Sequence, residues 1–98
     1  MAQKVVWSTE SQQNLNSILE YWNERNNSNE YSAKLFDEFK KIVSLISFFP
    51  HSGKETDYPD IRIFIKNNFS IYYKEYDDYL SILHVWDNRR NPEDLKLQ

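Results

Sequence analysis

The spacing of apolar residues changes from a helical period to a strand period at Pro50-His51-Ser52-Gly53, and that switch restricts the fold more than any other feature. Before it, Leu15, Ile18, Leu19 and Trp22 stand at i, i+3, i+4 and i+7, the stripe of an amphipathic helix, with Asn14, Glu20, Asn23 and Glu24 on the wet side. Leu35, Phe36, Phe39, Ile42, Val43, Ile46 and Phe49 carry a second helix as far as Pro50. After it, Ile61, Ile63 and Ile65 alternate with Arg62, Phe64 and Lys66. Phe69, Ile71 and Tyr73 alternate with Ser70, Tyr72 and Lys74, and Leu80, Ile82 and His84 with Ser81, Leu83 and Val85. Helices collected in one half and strands in the other form an α+β domain, because each apolar stripe has to be buried against another element.

Local signals place the boundaries. Lys4 to Trp7 is β-branched and ends in an aromatic, which predicts a first strand. Ser8-Thr9-Glu10-Ser11-Gln12 follows, with Thr9 and Gln12 spaced as a capping box. Asn26-Asn27-Ser28-Asn29 breaks the first helix, and Ser28 or Asn29 caps the second, so the two form an antiparallel hairpin. Gly53, the only glycine, marks a turn expected to need positive φ. Asn67-Asn68 and Asp77-Asp78 are two-residue hairpin turns. The predicted order is β-α-α-β-β-β. A helical hairpin packs on an antiparallel sheet formed by the N-terminal strand and a C-terminal three-stranded meander, and residues 1–98 form a single domain.

Composition excludes several classes of function. No cysteine is present, which removes disulfide frameworks and thiolate zinc sites. His51 and His84 are the only imidazoles, too few for a metal centre, so no metal or other cofactor is expected. His84 is read as a packed or hydrogen-bonded sheet residue and His51 as part of a loop. With no apolar run approaching a membrane span, the chain is expected to be cytoplasmic. A formal net charge of -3 means that any nucleic-acid contact must come from a local basic patch.

The last strand supplies that patch: Ile82-Leu83-His84-Val85-Trp86-Asp87-Asn88 runs into Arg89-Arg90-Asn91-Pro92. Together with Val5-Val6-Trp7-Ser8 leading into Leu15 and Ile18, Phe49-Pro50 with Gly53, Ile61-Arg62 and Phe69-Ser70-Ile71-Tyr72-Tyr73, this ordered set resembles the RelE/ParE toxins of bacterial type II toxin-antitoxin pairs over nearly the whole chain. The resemblance implies growth inhibition and neutralisation by a cognate antitoxin that wraps the toxin.

Within that family two activities compete. RelE-like members cleave messenger RNA on the ribosome, and such cleavage needs a base for the 2′-hydroxyl, an acid for the leaving oxygen and a cation for the phosphate. Arg62 and Arg90 are the candidate catalytic residues for that reading, and Lys66 and Arg89 would have to join them in one basic face. Ser70, Phe64 and Lys96 stand where the RelE pattern has an arginine, a second basic residue and a terminal tyrosine, and Asp87 and Asn88 replace a histidine-tyrosine ending. The ParE type, which the chain resembles more closely, binds DNA gyrase and needs no proton-transfer set. On that reading Trp86, Arg89, Arg90, Arg62 and Lys66 contact the target, while Trp22, Tyr72, Tyr76 and Tyr79 contact the antitoxin.

Structural readings stand beside these. Arg89 and Arg90 are equally well solvated cations paired with Glu93 and Asp94, and Arg62 is read as the cross-strand partner of an acid such as Glu75. Trp7, Trp22 and Trp86 are core or half-buried anchors. Tyr58, Tyr72, Tyr76 and Tyr79 cannot all be buried in a domain of this size and mark an interface.

Overall fold

A computed structural model describes residues 2–66 and 68–89. Seven elements run in the order β1 (Lys4–Trp7), α1 (Thr9–Asn26), α2 (Glu30–Phe48), β2 (Lys54–Glu55), β3 (Ile61–Lys66), β4 (Phe69–Glu75) and β5 (Tyr79–Asp87). The strands make one sheet in the order β1-β5-β4-β3-β2.

The sheet is mixed rather than antiparallel, because β1 pairs parallel with β5, Val5 opposite Leu80 and Trp7 opposite Ile82. Its cause lies in the single residue between β1 and α1. The Ser8 amide bonds Ile82 O at 3.0 Å, so α1 continues along β5 in the direction of β1 instead of turning back. α2 then brings the chain home, and the Gln3 amide bonds Ser47 O at 3.0 Å. The strand region therefore begins at the end of the sheet where β1 began, and the two reversals of the meander leave β5 parallel to β1. The short β2, too brief to show a period in the sequence, pairs Lys54 with Ile63 and Glu55 with Arg62.

Capping differs from the sequence expectation by one residue. Ser8 is the N-cap of α1, its hydroxyl accepting the Ser11 amide at 3.0 Å, and Thr9 is already helical. At α2 the cap position falls to Asn29, whose side chain makes no capping bond, while Ser28 Oγ accepts the Glu30 amide at 3.2 Å. Asn27 closes α1 in the left-handed region at φ 50°, a conformation Asn tolerates.

The core lies between the hairpin and one face of the sheet. Leu15 and Ile18 from α1 and Leu35, Phe39, Ile42 and Ile46 from α2 meet Phe69, Ile71 and Tyr73 of β4 and Leu80, Ile82 and Val85 of β5. Each such side chain contributes roughly 1.5–3 kcal/mol through burial. Phe36 and Phe49, which share the predicted stripe of α2, end up exposed.

Strand alternation is broken once. Tyr72 pairs with His84 but Tyr73 pairs with Ile82, so Leu83 is an extra residue and forms a β-bulge. Leu80 and Ile82 point at the helices before it, and Val85 and Asp87 after it; His84 turns to the opposite face, out of the phase that strict alternation gave it. The displaced backbone groups are satisfied by α1 and its cap. Ser8 Oγ donates to Leu83 O at 3.0 Å, and Asn14 Oδ1 accepts the Val85 amide at 3.1 Å, so Asn14 belongs to the sheet side of the helix.

Gly53 is required for space rather than for backbone conformation, since its φ is not positive. A Cβ there would stand 2.6 Å from the Tyr73 hydroxyl and 2.8 Å from Ile63 O. The buried Tyr73 hydroxyl accepts the Gly53 amide at 2.9 Å and donates to Pro50 O at 2.6 Å, which ties the helix-to-sheet loop to the core.

Candidate functional site

The bulge distributes polar side chains to two places. On the helix side, at the end of β5, Asp87 is fully buried. Its Oδ2 accepts Trp22 Nε1 at 2.7 Å and Arg89 Nη2 at 3.1 Å; its Oδ1 accepts the Arg89 amide at 3.0 Å and Nε at 3.1 Å. The Arg89 guanidinium lies 4.1 Å from the Trp22 ring centroid and 5.3 Å from that of Tyr31, and donates to the Tyr31 hydroxyl. Burial by itself raises the Asp87 pKa, but the bonds from Arg89 and Trp22 outweigh it and hold the carboxyl below its ordinary range. Burial likewise works against the Arg89 charge, and its bonds to Asp87 and Tyr31 prevail and raise its pKa. Two further bonds fix the strand end: the Asn88 amide donates to Asn68 O at 2.6 Å, and Ser70 Oγ donates to Asn88 Oδ1 at 2.8 Å.

On the other face His84, Tyr72, Glu10 and Tyr58 line a cavity of about 160 Å³. The His84 side chain is 9% exposed, its Nδ1 lies 3.5 Å from Glu10 Oε1, and Nε2 has no hydrogen-bond partner among the described residues. Burial lowers the His84 pKa against the opposing pull of Glu10, so the ring is neutral near pH 7. The Tyr72 ring meets it edge to face at 6.0 Å, and burial, followed by the charge of Tyr58, raises the Tyr72 pKa. An adjoining cavity of about 330 Å³ lies beyond Tyr58, walled by His51, Glu55, Asp60, Arg62 and Glu75.

The residues singled out in the sequence are not gathered into one patch. Arg62 donates through Nη1 to Gly53 O at 2.9 Å and approaches Glu55 at 3.7 Å, so its acid is Glu55 and not Glu75. Glu75 instead takes His51 Nε2 and Gln3 Nε2, each at 2.9 Å. Lys66 is exposed at the far end of β3, about 13 Å along the strand from Arg62. Arg89 pairs with Asp87; Arg90, with Glu93, Asp94 and Lys96, lies outside the described residues. Trp86 is half-buried opposite Ser70 on the cavity side of the sheet.

The four antitoxin candidates occupy three regions. Trp22 belongs to the Asp87 cluster and Tyr72 to the His84 cavity. Tyr76 and Tyr79 stack at 4.7 Å at the β4–β5 hairpin, where Lys74 lies over the Tyr76 ring. Tyr31, Glu10 and the orphaned His84 nitrogen were not found from the sequence. The available signal was the order Ile82-Leu83-His84-Val85, in which strict alternation would bury an imidazole and expose a valine.

Among the described residues no group of three or more His, Cys, Asp or Glu side chains is placed to hold a metal ion, and no helix is long and apolar enough to cross a membrane.

Comparison with known proteins agrees with this architecture. A chain of the structure described as the chromosomal ParDE TA system from P. aeruginosa superposes with a TM-score of 0.75 at 14% identity, covering 88% of this chain and 96% of that one. The solution structure of a conserved hypothetical protein of Helicobacter pylori gives 0.55 at 17% identity, over 92% and 98% of the two chains. Nothing matches among curated protein sequences. The family model described as the ParE toxin of the type II toxin-antitoxin system parDE matches residues 5–92, and the chain belongs to that family.

Proposed function

We propose that the protein is the toxin of a type II toxin-antitoxin pair that arrests growth in the cytoplasm by binding DNA gyrase, and that a cognate antitoxin neutralises it. Family membership supports the toxin role. The observation that carries the gyrase reading over RNA cleavage is the employment of the arginines. Arg89 is bound to Asp87, Tyr31 and Trp22, and Arg62 to Gly53 and Glu55, so neither guanidinium is held ready for a phosphate. A nuclease needs a cation beside its acid and base, and among the described residues the cavity that gathers Glu10, Tyr72 and His84 is lined by no lysine or arginine.

Target contact is assigned to the strand end and tail, Trp86, Arg89 and Arg90, with Lys66 nearby and Arg62 at the other end of β3. Antitoxin contact is assigned to Trp22, Tyr72, Tyr76 and Tyr79, which an extended segment could reach only by passing around the molecule. The purified protein, added to gyrase and relaxed plasmid, is expected to block supercoiling, and its induction in cells to stop DNA synthesis while transcripts stay intact. Prompt cleavage of messenger RNA on translating ribosomes, with supercoiling unaffected, would replace this reading by the ribonuclease one.

A further inference from the structure

The His84 cavity has the size and chemistry of a binding pocket. Its volume of about 160 Å³ is close to that of an engineered apolar cavity that holds one benzene ring. Ile61 and Leu83 supply apolar wall, and Tyr58 and Tyr72 supply two aromatic rings. The remaining polar groups mainly accept. Glu10 contributes a carboxylate, and the neutral His84 ring, with Nδ1 turned to Glu10, keeps Nε2 as an acceptor with no partner among the described residues. An imidazole whose side chain is more than nine-tenths buried would ordinarily have that nitrogen satisfied.

The surroundings carry the same sign. Tyr58 and Ile61 are shared with the neighbouring cavity, where Glu55, Asp60 and Glu75 are the acids. The cations there are committed, Arg62 to Gly53 and Glu55 and His51 to Glu75. An anion entering would meet Glu10 with no lysine or arginine among the described lining residues to neutralise it. A purely apolar group would cover Glu10 and leave both acceptors unserved, at a cost in desolvation. One carboxylate and one imidazole are too few ligands for a metal ion. A cation on an apolar stem satisfies every wall: the stem lies on Ile61 and Leu83, the charge meets Glu10 and the faces of Tyr58 and Tyr72, and the spare donors of a planar fork serve the acceptors.

We propose that this pocket on the open face of the sheet receives one basic side chain, an arginine, from a protein partner. The assignment rests on the toxin reading for the existence of a protein partner, and adds which chemistry that partner presents here.

The test is an NMR titration of the labelled full chain with N-acetyl-L-arginine amide and, in parallel, with its neutral isostere N-acetyl-L-citrulline amide. The arginine probe is expected to move the His84 ring resonances and the amides of Glu10, Tyr58 and Tyr72 saturably, with citrulline weaker by about fivefold or more. Glu10→Gln, at a half-exposed helical position, should weaken the arginine probe by about threefold to fivefold and leave citrulline unchanged. Tyr58→Ala, also on an exposed wall, should weaken it further through the lost ring face.

Equal binding of the two probes, shifts confined to another face, or indifference to Glu10→Gln would overturn the proposal, and so would tighter binding of p-cresol or of a short RNA at the same resonances. Because the titration reads the isolated protein, a chain that takes up arginine here without inhibiting gyrase keeps this pocket and loses only the gyrase reading.

Discussion

The two faces of the sheet treat their polar groups in opposite ways, although one β-bulge produces both. Toward the helices, Asp87 is fully buried and both of its carboxylate oxygens are taken, by Trp22 and Arg89. Across the sheet, His84 is nearly as buried and one of its ring nitrogens has no partner among the described residues. A buried charge whose bonds are all made within the chain is a fastening, since it has nothing left to offer a ligand. A buried acceptor left unpaired beside a cavity is a cost to the fold that a ligand's donor can relieve. The pocket around His84 therefore has unmet bonding to offer a partner, whereas a target contact at Arg89 has to use the exposed edge of a guanidinium already bonded to Asp87, even though sequence inspection favours the arginine.

Removing Val85, the first inward residue after the bulge, breaks the comparison and is expected to have the largest effect. The shortened β5 would either keep the bulge and turn Trp86 in and Asp87 out, or abolish it and put His84 in the core. Either outcome loses a buried valine and puts a tryptophan or an imidazole in its place, and the first also expels the Asp87 carboxylate from its bonds. The loss is expected to exceed about 4 kcal/mol, in the range reserved for disrupted cores. Urea unfolding followed by tryptophan fluorescence checks it; a deletion variant within about 1 kcal/mol of the parent would mean that the phase of β5 beyond the bulge is dispensable.

Arg89→Ala should come next. It leaves the Asp87 carboxylate buried with only Trp22 as side-chain donor, and a loss of about 2–3 kcal/mol is expected. Arg89→Lys keeps the charge but not the planar fork that bonds both oxygens and lies on Trp22 and Tyr31, so it should recover only part of the loss. A double-mutant cycle with Trp22→Phe isolates the coupling between the ring and the guanidinium. Growth arrest measured on the same variants separates scaffold from contact: at a temperature where Arg89→Lys remains folded, retained arrest places Arg89 in the scaffold, and lost arrest makes it part of the target surface.

Most of the architecture was legible before the structure, and the reasons for the exceptions are local. The helical stripe of Leu35, Phe39, Ile42 and Ile46 and the inward set of Phe69, Ile71 and Tyr73 all reach the core, because burial enforces the period over several turns or pairs. Strand direction was missed because it depends on whether one residue, Ser8, reverses the chain or lets it run on. The role of Gly53 was missed because its constraint is a tyrosine hydroxyl placed twenty residues later by sheet pairing. For the candidate site, residue type identified Trp22, Arg89, Tyr58 and Tyr72 as more than filler. It could not assign partners, since Arg89 finds Asp87 two residues back and Glu10 finds His84 only through the pairing of α1 with the bulge.

Acidification sharpens the contrast with the smallest expected effect, and the two faces should respond in separate windows. Burial depresses the His84 pKa below its ordinary 6.5 in the folded chain, so between that value and the folded one the unfolded state binds more protons. Stability is therefore fully present above about pH 6.5 and declines as pH falls toward the folded pKa. Glu10 faces the ring and opposes the shift without cancelling it. Asp87 is also depressed, from an ordinary 3.8, so its contribution persists through the histidine window and is lost only as pH falls below that value toward its folded pKa. His84→Phe removes the titrating group and the unpaired nitrogen while keeping an aromatic edge for Tyr72, and at pH 8 it should lie within about 1 kcal/mol of the parent. Thermal unfolding of both proteins from pH 8 to pH 3 is the measurement. The parent should lose stability in two stages and His84→Phe in the lower one alone; an unchanged upper stage in the variant would mean that another group titrates there.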